Sequence, residues 1–266
     1  MQSIDQQRDL LVANLLDTMR TFAGVRAEAE VWEEDGLLCV YSGLPGAVFN
    51  SVLLTKPVAD ERELKLKLDY VHARYQSRRA RWSLWLVEHF VPARLHSRVL
   101  PLVELYGPKI LLRGTGMFAS DLKAPTRTLP SLQLHQVQSP ASRFDFCHVM
   151  AVAFRTPLAT FLDVYHASDY WRGPMRGFVA YSGNRAVATA CVLPAHGVLG
   201  LYGVSVLPDV QHKGIGERTV RFAIDELASQ TGLNASVLES SEVALGLYRR
   251  LGYSEVTGLS VYNESR

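Results

Sequence analysis

The chain has 266 residues, of which 48% are hydrophobic and 20% are charged, a composition that excludes a disordered or collagen-like polymer. Its 28 basic and 26 acidic residues leave a formal net charge of +2, which is too small to indicate binding to nucleic acid or to an anionic membrane. The longest apolar runs are far shorter than the roughly 20 residues that a membrane-spanning helix needs. The length favours two domains.

The front half is predicted to alternate between helices and strands. Leu11, Leu15 and Met19 recur at helical spacing in the first helix. The second helix has acidic residues in its first turn and arginines at its end, which suits the helix dipole. In chain order we predict a helix at 5–22, a hairpin with strands 31–32 and 37–41, a strand at 48–55, a helix at 60–79, a strand at 82–87, a helix at 93–106 and a strand at 109–118.

The pattern breaks and then restarts after the segment 119–130, which contains two prolines and no apolar periodicity. We therefore predict a domain at 1–120, a linker at 121–130 and a second domain at 131–266. Its predicted elements are a strand at 132–137, helices at 142–154 and 158–170, strands at 177–181, 186–193 and 198–206, a helix at 216–229, a strand at 236–239, a helix at 242–251 and a last pair of strands within 253–262.

One loop in the second domain has the composition of an anion-binding turn. It runs from Gln211 through His212, Lys213, Gly214 and Ile215 to Gly216, between a predicted strand and a predicted helix. The glycines let the backbone approach a ligand, and the amides that begin a helix favour a pyrophosphate. The alternative is a plain glycine-containing turn, since the loop lacks the third glycine of a dinucleotide fingerprint and the Lys-Ser/Thr of a P-loop.

A second segment lies at a fitting distance from this loop. It runs over residues 240–253, places Ala244, Leu247 and Tyr248 on adjoining helical faces, and ends at Gly252. Together with Val206-Leu-Pro208 and the glycine loop, it resembles the GNAT superfamily of acyl-CoA-dependent N-acyltransferases. That family has a strand, V-x-P, (Q/R)-x-x-G-x-G/A, a helix, a strand and an A-x-x-x-Y-x-x-x-G-F helix. The resemblance covers roughly residues 131–262.

The resemblance implies an α/β fold with a mixed sheet, acetyl-CoA or another acyl-CoA as co-substrate, and a set of contacts to it. Tyr248 would lie near the thioester sulfur and give a proton to the leaving thiolate. Ser241 stands where the family often has Asn, which affects one cofactor contact. The residues implied to bind the cofactor through the main chain or the loop are Val204, Ser205, Val206, Gln211, His212, Lys213, Gly214, Ile215 and Gly216, joined by Ser241 and Tyr248.

The general base is not identified by the motifs. The family often has a Glu in the strand before the loop, but residues 201–206 contain no acid. Tyr202 or Ser205 could hold a water molecule there. Other candidates are His166, Asp163, Asp169 and Glu239, each of which is more simply interpreted as an ordinary surface residue.

From residue 31 onward, the front half repeats the order of elements of the back half, which predicts a degenerate GNAT-like domain and hence a tandem arrangement. It has no glycine loop after residues 48–55, and Pro57 stands there instead. The hypothesis is that this domain walls the acceptor pocket and binds no acyl-CoA.

The sequence thus predicts an N-acetyltransferase in which a primary amine, most simply that of a small molecule, attacks the thioester directly. The alternatives are a non-catalytic acyl-CoA-binding module and a protein N-terminal or lysine acetyltransferase. No metal, nucleic acid or membrane is expected; the basic run 74–82 is explained by its place at a helix end. Cys39, Cys147 and Cys191 form no disulfide pattern, and the chain start lacks a signal-peptide pattern, which favours the cytoplasm. Monomer and homodimer both stay open.

Overall fold

The computed structural model describes residues 2–167 and 169–264. The chain forms two compact units. The major unit consists of the chain up to Thr18 together with Met117–Glu255, and the minor unit consists of Met19–Gly116 together with the chain from Val256 onward. The predicted domains were continuous halves joined at 121–130, whereas both ends of the chain belong to the unit of the other half.

The elements alternate along the chain as an α/β fold does. The helices are α1 Ile4–Thr21, α2 Glu61–Ser77, α3 His96–Glu104, α4 Pro140–Ala153, α5 Leu158–Tyr165, α6 Ile215–Thr231 and α7 Leu245–Leu251. The strands are β1 Glu30–Glu34, β2 Leu37–Tyr41, β3 Ser51–Leu54, β4 Ser83–Val87, β5 Pro108–Ala119, β6 Gln133–Gln136, β7 Arg176–Ser182, β8 Arg185–Ala195, β9 Val198–Val206, β10 Ser236–Ser241 and β11 Ser254–Glu264.

Several predicted elements differ from the structure. The predicted strand at 48–55 begins only at Ser51, after a 3-10 turn at Ala47–Phe49. The predicted helix at 158–170 ends at Tyr165, because the Trp171 indole N–H donates to the Tyr165 carbonyl at 2.7 Å and the chain folds back into a 3-10 turn at Asp169–Arg172. Ser168, within that prediction, lies outside the described residues. The predicted pair of strands within 253–262 is the single strand β11. Its Gly258 makes no turn: the Glu88 carboxylate lies over it, 2.1 Å from where a Cβ would stand, so a larger residue would have to displace that exposed side chain.

The sheet of the major unit has the order β10-β9-β8-β7-β6. β9 and β10 are parallel, and the other neighbours are antiparallel. Ala190 and Val192 of β8 share a buried cluster with Val220 and Ile224 of α6. Cys191 lies between them in sequence and therefore faces the opposite side of the sheet, where helix α4 contacts β8 and β9. The sheet is thus covered by α6 on one face and by α4 on the other.

The strands of the minor unit follow one another in the order β1-β2-β3-β4-β11-β5. β3 and β4 are parallel, whereas β1 pairs with β2, β2 with β3, and β4 with β11 in antiparallel fashion. All four residues of β3 are buried, and helix α2 buries Leu64, Leu68, Val71 and Tyr75. The predicted hairpin at 31–41 is confirmed as β1 and β2.

Candidate functional site

The two parallel strands of the major unit part after a short paired stretch. Their register runs from Ser236 opposite Leu199 to Leu238 opposite Leu201. Both strands continue beyond it, β9 to Val206 and β10 to Ser241. Tyr202 and Glu239 are the next residues on the two strands, so they stand opposite each other on one face where the strands separate. Within the described residues, the edge of β9 that faces β10 is therefore left without its ladder partner, as an inserted extended ligand would need.

A β-bulge in β9 lies directly above this separation. Thr189 pairs with Ser205 and Cys191 pairs with Tyr202, so β9 has one extra residue over that interval. Gly203 takes the left-handed φ of +57°, and its carbonyl accepts the Thr189 hydroxyl at 2.9 Å. A bulge re-aims the peptide groups of its strand. It therefore re-aims the main-chain groups of Gly203 and of the predicted cofactor residue Val204, whereas Ser205 is paired with Thr189 in the ladder.

The glycine loop follows β9 and begins helix α6, as the sequence indicates. Gly214 has a φ of +83° at the N-cap, and no side chain there caps the helix. His212 also has a positive φ, +63°. The side chain of Gln211 donates to the Val206 carbonyl at 3.1 Å, which ties the loop back to the strand. The N-cap thus gives the first amides of α6 no side-chain acceptor, an arrangement that suits an anion.

The remaining loop residues take simple positions. Lys213 is exposed, and its ammonium donates to the Asp209 carbonyl at 3.4 Å. Ile215 is buried in a small core cluster with Ala188. Gly216 lies so close to β9 that a Cβ would stand 3.3 Å from a methyl group of Val206. Glycine at this position therefore lets the helix pack closely against the strand.

The predicted linker lies beside this loop in the major unit, which the sequence did not indicate. A Cβ on Gly214 would stand 3.2 Å from Pro130 Cδ and 3.7 Å from the Arg127 guanidinium. Arg127 is half exposed and lies 3.5 Å from the buried carboxylate of Glu217 in the first turn of α6. Glu217 is also bound by Arg221 at 2.9 Å. Because two arginines face this one carboxylate, one positive charge is left over, and the half-exposed Arg127 places it beside the glycine loop.

Tyr248 is buried on α7, where its ring packs edge-on against Tyr253 with centroids 5.8 Å apart. Burial raises the pKa of the Tyr248 phenol well above its usual value near 10, and the nearby Tyr253 and Glu239 raise it further. The phenol therefore stays protonated at neutral pH. Ser241, at the end of β10, precedes the 3-10 turn Glu242–Ala244 and makes no side-chain cap.

Among the candidate bases Glu239, His166, Asp163 and Asp169, Glu239 is the one that lies where β9 and β10 separate. Its side chain is partly buried, and its Oε1 is shielded from solvent with no hydrogen-bond partner among the described residues. Burial raises the pKa of this carboxyl to about 8. Ser205 Oγ, on β9, is likewise shielded and unpartnered in that part of the chain. Glu239 Oε1 and Ser205 Oγ are thus shielded polar atoms without a hydrogen-bond partner among the described residues.

The other candidate bases lie on or after helix α5. His166 is exposed at its C-cap. Asp169 is exposed and forms an ion pair with Arg172 at 2.9 Å. Asp163 lies within α5 itself. The structure gives none of these three the shielded, unpartnered carboxylate found at Glu239.

Features outside this region have structural explanations. Arg74 and Arg78 stack on the Trp32 ring, at 4.2 and 5.2 Å from its centroid, and Arg78 pairs with Glu30. Among residues 2–167 and 169–264, no group of three or more His, Cys, Asp or Glu side chains is arranged to hold a metal ion. No helix in the same residues is long and apolar enough to cross a membrane.

Comparison with known proteins follows the same lines. A GCN5-related N-acetyltransferase from Kribbella flavida shares 18% identity over 96% of both chains, with a TM-score of 0.68. A conserved protein of unknown function from Staphylococcus epidermidis shares 16% identity over 92% of this chain and 98% of its own, with a TM-score of 0.65. A GCN5-related N-acetyltransferase from Sphaerobacter thermophilus shares 14% over 86% and 76%, with a TM-score of 0.56.

At these identities the likeness concerns the fold, and it extends over nearly the whole chain. No curated protein matches the sequence. The model of the acetyltransferase (GNAT) family, however, matches residues 146–253. That range includes β9, the bulge, the glycine loop, Glu239 and Tyr248. Over residues 146–253, the chain therefore contains an acetyltransferase domain of the GNAT family.

Proposed function

We propose that the protein transfers an acetyl group from acetyl-CoA to a primary amine by direct attack on the thioester. The observation that carries this proposal is the separation of β9 and β10 after Leu201 and Leu238, with an uncapped helix start at one end and a shielded carboxylate at the other. An extended acyl-pantetheine arm fits the free edge of β9. Its pyrophosphate fits the amides that begin α6.

The chemistry requires a carbonyl polariser, a base and a donor to the leaving group. Amides at the bulge of β9 would polarise the thioester carbonyl. Glu239, with a pKa of about 8, suits deprotonation of an alkylammonium group better than an ordinary carboxylate does. Tyr248 would stabilise the departing thiolate by donating a hydrogen bond. Since its pKa is raised far above the thiol reference of about 8.5, complete proton transfer from Tyr248 is uphill in the free protein.

Direct attack is favoured because the thiols are poor nucleophiles. Cys147 and Cys191 are buried in the major unit, and burial raises the pKa of both, to about 12 for Cys147. Thiolate is the reactive form of cysteine. An acyl-cysteine intermediate is therefore disfavoured. Buried free thiols also suit a reducing compartment, which agrees with the predicted cytoplasmic location. That location stays a prediction.

We propose that the minor unit is a degenerate GNAT-like copy that binds no acyl-CoA. The start of its helix α2 is occupied by its own side chains: Asp60 accepts the Glu63 amide at 2.9 Å, and Glu63 accepts the Ala59 amide at 2.7 Å. This reciprocal cap satisfies donors that a phosphate would need. That the minor unit walls the acceptor pocket stays a prediction.

The acceptor is proposed to be a small-molecule amine. The alternatives are acetylation of protein N-termini or lysines, and acyl-CoA binding without catalysis. Titration calorimetry with acetyl-CoA should give one site per chain, and a panel of amines, peptides and lysine-containing proteins should show thiol release. Binding without release on any acceptor would favour the binding module. Two acetyl-CoA molecules per chain would contradict the assignment of the minor unit.

A further inference from the structure

Helix α1 places two polar residues on its apolar side. Asn14 and Thr18 are almost fully buried, and they alternate with the buried Leu11, Leu15 and Met19. The chain up to Thr18 belongs to the major unit, although the sequence assigned this helix to the front domain. A buried amide is costly unless it is hydrogen-bonded, so we expect Asn14 to have hydrogen-bond partners within the major unit.

Asn14 connects the β8–β9 hairpin to a side chain of the site. Its Nδ2 donates to the carbonyls of Leu193 at 3.1 Å and Ala195 at 3.3 Å. Its Oδ1 accepts the Tyr202 hydroxyl at 2.7 Å. Gly200 makes this approach feasible, because a Cβ there would lie 1.8 Å from Oδ1. The amide is thus almost fully satisfied, and any larger residue at position 200 would expel it.

Tyr202 stands opposite Glu239 at the end of the paired register, and Asn14 fixes its hydroxyl from the other side. Because that hydroxyl donates to Asn14, it is not available as a base. Burial raises the pKa of the Tyr202 phenol well above its usual value, with Glu239 adding to the shift and Thr18 opposing it. The ring is therefore a fixed, neutral wall beside the Glu239 carboxyl.

We propose that Asn14 is a positioning residue for acyl transfer: by holding the Tyr202 ring beside Glu239, it sets the geometry in which the acceptor amine meets the base. This inference rests on the proposed function. Misplacement of a reacting group by about 1 Å costs up to about 100-fold in rate. The titratable groups that face Tyr202 and Glu239 are Tyr248 of α7 and, towards Tyr202, Asp17 of α1, which pairs with His196 at 2.9 Å.

The test compares Asn14→Leu with Asn50→Leu. Asn50 is an equally buried asparagine in the minor unit, with Nδ2 donating to the carbonyls of Leu44 and Arg81. Both variants should lose stability. Only Asn14→Leu should lower kcat/KM for the acceptor, by about 10- to 100-fold per folded molecule, with acetyl-CoA affinity within about twofold of wild type and a changed pH profile of kcat/KM.

Tyr202→Phe removes only the hydroxyl and keeps the test decisive if Asn14→Leu does not fold. It should reproduce the loss in kcat/KM, and the double variant should lose no more than either single one, since coupled residues are non-additive. Two results would overturn this inference without affecting the proposed function. One is a wild-type kcat/KM in Tyr202→Phe, and the other is an equal loss of kcat/KM in Asn14→Leu and Asn50→Leu. A wild-type protein that binds acetyl-CoA but acylates no acceptor would overturn the proposed function as well.

Discussion

The two units have the same arrangement of strands and a helix, but the residues at the start of that helix differ. In the major unit β7, β8 and β9 are antiparallel, and helix α6 leads from β9 to the parallel strand β10. In the minor unit β1, β2 and β3 are antiparallel, and helix α2 leads from β3 to the parallel strand β4. This correspondence supports the proposed tandem origin of the units, and it isolates the features that separate them.

The difference lies where the helix begins. Helix α2 starts behind Asp60, whose carboxylate accepts the Glu63 amide, with Glu61 and Glu63 in the first turn. Helix α6 starts behind Gly214, with no side-chain cap, and its one acid of the first turn, Glu217, is bound by Arg221. Its own carboxylates make the start of α2 unfavourable for a phosphate, whereas the uncapped start of α6 suits the proposed phosphate site. The proposed cofactor site therefore depends on the residues at the turn, since the topology is the same in both units.

The largest expected effect comes from removing Glu239, the proposed base of the major unit. Glu239→Gln should lower kcat by about 10²- to 10⁴-fold, the usual range for loss of a general base. The carboxyl must be deprotonated to act, and its pKa is about 8. Wild-type kcat/KM should therefore rise from pH 6 and level off above pH 8 or so, and the variant should lack this rise.

The control for this prediction is Glu242→Gln, which neutralises an exposed carboxylate three residues away. Stability gives a second readout. The pKa of the Glu239 carboxyl is about 8 in the folded protein and 4.5 for an unperturbed Glu. The folded protein therefore loses stability as the pH rises between these two values. Wild type should lose stability between pH 5 and 9 relative to Glu239→Gln, as measured by urea unfolding. A wild-type pH profile in Glu239→Gln would exclude this residue as the base.

Tyr248→Phe tests the donor to the leaving group. We expect kcat to fall by about 100-fold, with acetyl-CoA affinity nearly unchanged, as measured by calorimetry and by thiol release. Tyr253→Phe is the matched control, since Tyr253 is equally buried and its hydroxyl lies 2.7 Å from Ser236 Oγ. Equal turnover of the two variants, with chemistry rate-limiting, would exclude Tyr248 from the reaction.

Gly214→Asp would give the major unit the acidic helix start of the minor unit. The carboxylate should compete with the pyrophosphate for the α6 amides and weaken acetyl-CoA binding by about tenfold or more. Gly214→Asn is the control, because it carries the same Cβ at the same positive φ without the charge. Valine is unsuitable here, since a β-branched side chain is strained at a φ of +83°, whereas Asp and Asn tolerate it. Equal affinities of the two variants would contradict the phosphate site.

The reverse change addresses the minor unit. Asp60→Ala removes the cap of α2 and should cost about 1 kcal/mol of unfolding free energy, whereas Asp60→Asn should retain most of it. Neither variant should alter the affinity for acetyl-CoA or the stoichiometry of one site per chain. Chemical denaturation and calorimetry measure the two quantities. A changed acetyl-CoA affinity would mean that the minor unit takes part in binding.

The smallest expected effect is at Arg127, the cation beside the glycine loop. Arg127→Ala should weaken acetyl-CoA binding about two- to fivefold at low salt and less at high salt, because the side chain is half exposed and its field is screened. Arg62→Ala removes the same charge from an exposed position of α2 and should leave the affinity unchanged. Identical salt dependence in wild type and Arg127→Ala would exclude a phosphate contact.

Local signals in the sequence determined much of this protein. The period of its apolar residues predicted most helices and strands, including β9 at its observed bounds, Val198–Val206. The glycines of the loop predicted the turn into α6, because the positive φ found at Gly214 is adopted most easily by a residue without a side chain. The spacing of Ala244, Tyr248 and Gly252 predicted α7 and its end. These features depend on neighbours within a few residues, so the sequence displays them directly.

Only the tertiary structure decided which distant residues meet. Glu239 could not be distinguished from His166 or Asp169 by sequence, because its shielding results from the separation of β9 and β10 rather than from its own neighbours. Likewise, Asn14 reaches Tyr202 across 188 positions. One clue was available: Asn14 and Thr18 interrupt an apolar stripe. Their partners were not, since pairing across the chain depends on how helices and strands pack rather than on any local pattern.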